Sequence, residues 1–557
     1  MSAWRLAAAG AVILAAYAPL SGRAADIART PANAAHESVG ESIYLRGVLG
    51  SGAPLEGTRE TGGLGTQGAD AACVNCHQRS GLGSREGDLF IPPVTGDYLF
   101  QVRVPGAHDP VLPYVASMHS HRDPYTTATL ARAIRDGIDS DGRPLSSLMP
   151  RFALSDPDMA WLIQYLKNLG VRRSPGVTDS VVHFATIFTP DADPVKRRGV
   201  LDVLTQYVTE KNSFPFGPSP RMVTSGRTAY SKSMYMANLR WQLHVWQLSG
   251  PASSWREQLE QHLRDEPVFA VLSGLGGSNW APVHQFCEQN ALPCLFPNVE
   301  VPVAADGDFY SLYFSKGVLL EAELIGTQVL ALGKDPSVLV VDQIYRAGDS
   351  GEPAARALAA QLQARGVTVR GRALAPGAAG RGLAAALRAQ GRAQVLVLWL
   401  RPADIAALGS APPAQTQVYL SGLMGGLEDA PLPPSWRAST RLAYPFDLPD
   451  RRGVRLDYPL GWFSFRHIPV VALQVQVDTY LACSLVSEVT KQLADSYVRP
   501  YLIEQLQGML EHRIMTGYYP HLALAYRQRF ASKGGYIAHF SQDHGTHLIA
   551  DGDWVAP

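Results

Sequence analysis

The chain has 557 residues, and its 49 Lys and Arg balance its 49 Asp and Glu to a formal net charge of zero. That balance argues against a nucleic-acid binder or a protein held on an anionic membrane surface, and the length calls for two or more domains. Hydrophobic residues make up 46% and charged residues 18%, the proportions of a folded globular protein and not of a disordered one.

The first residues read as an export signal. Met1–Arg5 is short and basic, Leu6–Leu20 is apolar and alanine-rich, and Gly22-Arg23-Ala24 offers small residues for cleavage before Ala25. Residues 1–24 are therefore expected to be a signal peptide. The apolar stretch is short for a spanning helix, and no later run approaches that length. The mature protein is expected in the periplasm, with no membrane span.

Residues 38–172 have the size of one small domain. Ser42–Gly47 reads as a first helix. Cys73-Val74-Asn75-Cys76-His77 follows, the C-x-x-C-H pattern of covalent haem attachment. Two thiols add across the haem vinyl groups, and the adjacent histidine is held under the iron as proximal ligand. A zinc site would need a second Cys/His pair at ligand spacing, and none is evident. A glycine-rich stretch, Ser80–Gly83, leads to Ile91-Pro92-Pro93. Thr126–Gly137 keeps helical spacing. Leu148-Met149-Pro150 then precedes a helix over Pro157–Leu169, with Ser155 as its N-cap, acidic residues in its first turn and Gly170 as its stop.

This pattern resembles the class I cytochrome c family. The resemblance implies an all-α domain whose last helix packs across the helix before the haem motif. It implies one haem c, bound through Cys73 and Cys76, with His77 as proximal and Met149 as distal iron ligand. It also implies that a carbonyl of Pro92 or Pro93 orients the His77 imidazole. His108, His119 and His121, in an apparent insertion, are the competing sixth ligands.

Arg172–Gly176 reads as the start of a linker, taken as residues 173–179. From 180 to 557 short apolar strands alternate with helices. Strands are expected at His183–Phe188, Leu239–Leu248 (Trp241, Leu243 and Val245 on one face), Val268–Leu272, Cys294–Phe296, Ser337–Val341, Val367–Val369, Val395–Trp399 and Val418–Ser421. Helices fall between them, a long one is expected over Val470–Val498, and a hairpin around Asp543-His544-Gly545. Such alternation argues for parallel sheets covered on both faces. Cys287 and Cys294 are near enough in sequence for a disulfide, the alternative being buried thiols, and Cys483 is the odd cysteine, in an apolar helix.

Three stretches carry a second resemblance, in layout more than in motif. They are Phe269–Gly274 with Leu292–Pro297, Val338–Val341 with Ile344–Gly348, and Val418–Gly422. They are similar to the type I periplasmic binding proteins of the branched-chain amino-acid receptor kind. The resemblance implies a two-lobed α/β fold with a ligand between the lobes at strand ends. Ser273, Tyr345, Arg346 and Ser421 are the cleft candidates, and Thr189, Asp191 and Ser278 lie at similar places. Gly274-Leu275-Gly276-Gly277 lacks the spacing of a dinucleotide fingerprint.

The expectation is a multidomain electron carrier rather than a catalyst. Its haem c exchanges single electrons with a periplasmic redox partner protein, and its receptor-like domain takes a small-molecule ligand or docks that partner. A haem-containing receptor or sensor, and an electron-accepting subunit of a periplasmic dehydrogenase, are the alternatives.

Overall fold

A helix from Pro31 to Arg46 starts the described chain. It begins earlier than the expected Ser42, because proline is tolerated in a helix's first turn and alanines favour its continuation. The computed structural model describes residues 31–59, 63–86, 89–101, 122–171, 173–213, 239–333, 335–389, 393–409, 411–493, 496–525, 527–541 and 547–557. The expected signal peptide and His108, His119 and His121 lie outside the described residues.

The first helix packs on Asp156–Asn168, and Gly40 makes the approach possible: a Cβ there would sit 2.3 Å from the carbonyl oxygen of Trp161. Thr127–Asp136 crosses nearby, closed by a capping box between Thr126 and Thr129 and by Gly137 in the left-handed region. Ser155 caps the last helix by accepting the Asp158 N–H at 3.2 Å. Ile43, Tyr44, Leu130, Ile134, Leu162, Ile163 and Leu166 form the core between them.

This region is not all-α. Gly65–Gln67, Glu56–Thr58 and Arg151–Phe152 form a three-stranded antiparallel sheet, and Ser84–Glu86 pairs with Leu89–Ile91. Gly57, Gly63, Gly65 and Gly68 disfavour helix here, and Gly57 lets its strand lie against the Phe152 ring, which a Cβ would meet at 3.0 Å.

Residues from 173 onward build two lobes. The first holds a five-stranded parallel sheet, in order Ser311–Leu312, Cys294–Leu295, Ala270–Leu272, Val181–Phe188, Arg240–Gln247. The second holds seven strands. Thr368–Leu374, Val340–Arg346, Val395–Trp399, Gln417–Ser421 and Thr440–Tyr444 run parallel, then Tyr536–Phe540 and Leu548–Ala550 turn antiparallel. Val395–Trp399 is buried at every position, as expected of a strand covered on both faces. The chain enters the second lobe after Leu312, returns to the first with the helix Leu473–Gln492, which packs on Pro194–Ser213, and crosses again before Tyr536.

Three expectations are corrected. On Arg240–Gln247, Trp241 and Trp246 are buried while Val245 is exposed, so no single face is apolar throughout. Different helices cover the two faces: Tyr207 stacks on Trp241, and His262 on Trp246. The strand expected at Ser337–Val341 starts at Val340 and runs to Arg346, because Pro336 opens a short 3-10 turn. The long helix expected over Val470–Val498 ends at Gln492, and a second runs from Arg499 to Leu510 with Pro500 in its first turn.

The residues read as a linker are held in place. Ser174 donates its N–H to the Tyr497 carbonyl at 2.9 Å, and its Oγ accepts the Arg499 N–H at 2.9 Å. Gly176 is so close to the first lobe that a Cβ would lie 2.1 Å from the Phe269 nitrogen.

Candidate functional site

Two cavities stand out. The first lies inside the N-terminal region. Val74–His77 is a single helical turn that carries Cys76 and His77 just after Cys73. His77 Nδ1 lies 2.9 Å from the Pro92 carbonyl oxygen. A carbonyl can only accept, so Nδ1 carries the proton and Nε2 keeps its lone pair for a metal. Of the two prolines left open by the sequence, Pro92 makes this contact. Burial pushes His77 below the ordinary histidine range, with the Pro92 contact opposing, which favours the neutral imidazole a metal ligand requires.

His77, Cys73 and Met149 line one cavity of about 220 Å³. Its walls are largely apolar, with Leu55, Leu130, Ile134, Leu162 and Leu166 among them, and Arg122 and Asp139 are the charged residues that reach it. Met149 is positioned by its loop: its N–H donates to the Ser146 carbonyl at 3.1 Å, and its carbonyl accepts from Arg151 at 2.7 Å. Tyr44 donates to the Gln78 carbonyl at 2.7 Å, tying the first helix to the segment after His77. Neither Cys73 nor Cys76 is in a disulfide, and burial pushes Cys73 up to about 12. The donor set therefore suits a c-type haem: two thiols outside any disulfide, an oriented imidazole, a thioether sulfur and largely apolar walls.

The back of the C-x-x-C-H turn touches the two-lobed half. Ser80 donates its N–H to Glu504 Oε1 at 2.9 Å, and the Arg79 guanidinium lies 4.5 Å from the Phe309 ring centroid. Burial raises Glu504 to about 7, against the opposing hydrogen bonds from Ser80.

The second cavity, of about 520 Å³, lies between the lobes. The first-lobe loops after Phe188, Leu272 and Leu295 contribute Asp191, Gly276 and Asn298, and the second lobe contributes Arg401 and Leu423. Arg401 grips Glu300 with two hydrogen bonds of 2.7 and 2.6 Å, and Asp349 with bonds of 2.9 and 2.6 Å. Burial alone would raise Glu300, but Arg401 holds it at about 2. Asp478, from Leu473–Gln492, also lines this cavity. Burial raises it to about 7, against hydrogen bonds from Tyr519 and Gln474.

None of the four cleft candidates lines this cavity. Ser273 is fully buried, its hydroxyl 3.1 Å from Thr479 Oγ1 and accepting from Asn298 at 3.1 Å, so it supports the wall from behind. Ser421 is fully buried too, bonded to Glu321 and capping Met424. Arg346 pairs with Asp404 and with the carbonyls of Ala375 and Ala378. Tyr345 sits at the end of its strand beside Gly371. Strand ends attracted these assignments, but the hydroxyls and the guanidinium are satisfied within the protein. Of the neighbouring positions, Asp191 does line the cavity. The sequence reading missed Asn298, Glu300, Arg401 and Asp478. An acid inside the apolar run of Leu473–Gln492 was the one visible signal.

Cys287, Cys294 and Cys483 are buried free thiols, and Cys287 and Cys294 are near enough to hydrogen-bond. Among the described residues no helix is long and apolar enough to cross a membrane.

No family model matches the sequence, and no curated protein matches it. Solved structures do match. A solute-binding protein of an ABC transporter from R. palustris, in complex with benzoate, is 10% identical with a TM-score of 0.50, over 68% of this chain and 98% of its own. A fatty acid ABC transporter substrate-binding protein from Thermomonospora curvata is 17% identical with a TM-score of 0.45, over 70% and 95%. A branched chain amino acid ABC transporter protein from Thermus thermophilus with bound valine is 10% identical with a TM-score of 0.46, over 68% and 97%. At these identities the likeness is one of fold. The first of them carries it: a two-lobed α/β fold like that of type I periplasmic binding proteins.

Proposed function

We propose that this chain is a periplasmic electron-transfer protein in which a class I cytochrome c domain is joined to a ligand-binding, receptor-like domain. Cys73 and Cys76 would hold one haem c covalently, with His77 and Met149 as its iron ligands. When bound, that group supplies one-electron chemistry. The rest falls to the protein. Pro92 fixes the rotation and tautomer of His77. The loop carrying Met149 presents a thioether, which favours a high potential. With His77 and Met149 both holding the group, no substrate would need to reach it, and the domain would act as a carrier that passes electrons to a redox partner protein.

The observation that carries this reading is the apolar cavity shared by His77 and Met149 beside a C-x-x-C-H motif. Supporting it is the junction of Arg79 and Ser80 with Phe309 and Glu504, which sets the receptor half against the haem motif. A small molecule in the interlobe cleft could thereby affect the haem, which is where the sensor reading overlaps this one.

Absorption spectra of the purified full chain, oxidised and reduced, with and without carbon monoxide, test the proposal. A six-coordinate haem c spectrum with a sulfur-to-iron band, unchanged by carbon monoxide, is expected. A haem that binds carbon monoxide at once would replace the carrier with a gas sensor, and absence of haem would end both readings.

A further inference from the structure

Among the described residues, the interlobe cavity has one buried side-chain atom at its wall that the fold leaves without a hydrogen bond. Asp478 is 2% exposed and lines the cavity, yet its Oδ1 has no hydrogen-bond partner. Its Oδ2 accepts from the Tyr519 hydroxyl at 3.0 Å and from Gln474 at 2.5 Å, both neutral donors. Among the described residues, no lysine, arginine or histidine pairs with this carboxylate. Buried carboxylates are stabilised by a cation or by a full set of donors, and Asp478 has neither.

The cations of the same cavity are already committed. Arg401 is shared between Glu300 and Asp349, and Lys196 lies 3.6 Å from Glu300. An anionic ligand would have to compete with these carboxylates for a positive group. An ammonium group would find an acceptor waiting. The surroundings suit it as well: Phe314, Phe446 and Tyr519 line the cavity, with the Tyr519 ring centroid 5.5 Å from that of Phe314 and 5.4 Å from that of Phe446. Aromatic faces attract cations and also bury the apolar part of an organic ligand. At about 520 Å³ the cavity has room for a small organic molecule.

We propose that the cleft binds a small organic cation, a primary alkyl- or arylammonium whose N–H is accepted by Asp478 Oδ1 and whose apolar part lies against Phe314, Phe446 and Tyr519. This rests on the reading of the cleft as a ligand site and names the ligand class for it. Benzoate, bound in a solved structure of similar fold, is an anion and does not suggest this class. It follows from the unpartnered acid and the committed cations of this chain.

Calorimetric titration of the full chain with matched compounds tests it: benzylammonium against benzyl alcohol, butylammonium against butanol, and benzoate and butyrate as anions. Each ammonium is expected to bind about tenfold or more tighter than its alcohol, and the anions more weakly still. In Asp478→Asn the preference for ammonium over alcohol should disappear. Because the paired comparison is made in the unaltered chain, it decides the matter even if that variant does not fold. Equal binding of ammonium and alcohol, or tighter binding of an anion, overturns the cation assignment and leaves the cleft a ligand site. No binding by any of them overturns both.

Discussion

The two cavities of this chain are built on opposite principles. The one around His77 and Met149 is walled by leucine and isoleucine, and its few polar atoms are oriented by the backbone, as Pro92 orients His77. The one between the lobes is walled by loops that carry Asp191, Glu300, Arg401 and Asp478. An apolar cavity with soft donors fits a group that is attached once and kept. A charged cleft between two lobes fits a ligand that exchanges, because most of its polar groups are paired within the protein whether or not a ligand is there. The difference shows in how the polar groups are held once the fold is made: in the first, a backbone carbonyl engages Nδ1 of His77, and in the second, one carboxylate oxygen of Asp478 has no hydrogen bond.

The largest effect should come from Met149→Ala. It is expected to remove the sulfur-to-iron band, admit carbon monoxide and lower the potential by on the order of 0.1 V, out of the roughly 0.8 V that axial ligands span. A spectrum unchanged by this substitution, with the band lost instead in His119→Ala or His121→Ala, would move the sixth ligand into the segment before Thr126.

Next comes Arg401→Ala, which leaves the Glu300 and Asp349 carboxylates without their shared cation. Removing one partner from such a network costs about 3 kcal/mol. Tryptophan fluorescence in urea should report this loss from the receptor half, while the haem spectrum holds. Loss of the haem spectrum at the same denaturant concentration would mean that the two halves unfold as one unit.

The smallest effect concerns the junction. The folded-state pKa of Glu504 is raised to about 7 by burial, the Ser80 contacts opposing, above an unfolded value of about 4.3. Its contribution to stability is therefore complete below about pH 4 and is lost as pH rises through about 7. Melting temperature should fall between pH 5 and pH 8, Glu504 contributing the equivalent of on the order of 2 kcal/mol, and Glu504→Gln should make that fall smaller. The same slope in the variant would assign it to Glu321 and Asp478, which burial raises to about 8 and about 7 against the hydrogen bonds they accept.

What the sequence disclosed follows from how local each signal is. The Ser155 cap and the helix expected from Thr126 are signalled within a few residues of chain, and the structure keeps them. The proline carbonyl near His77 was readable as a pair of options, and only the three-dimensional turn selects Pro92. The small sheet beside the haem motif was hidden because its strands are two or three residues long. The cleft was hardly legible, since its wall is assembled from loops hundreds of residues apart. Ser273 and Ser421 stand at strand ends as expected, but Thr479 and Asn298 claim the first, and Glu321 the second. Asp478 was visible as an acid in an apolar helix, yet nothing local says whether such a residue faces a cavity.

The central claim is that Cys73 and Cys76 carry haem as covalent thioethers, and a denaturing gel of the purified full chain, made in cells with the c-type maturation machinery and stained for haem peroxidase activity, tests it most directly. The stain is expected to migrate with the intact polypeptide and to vanish in the double variant Cys73→Ala, Cys76→Ala. Haem that leaves the unaltered chain in acidified organic solvent would contradict the account.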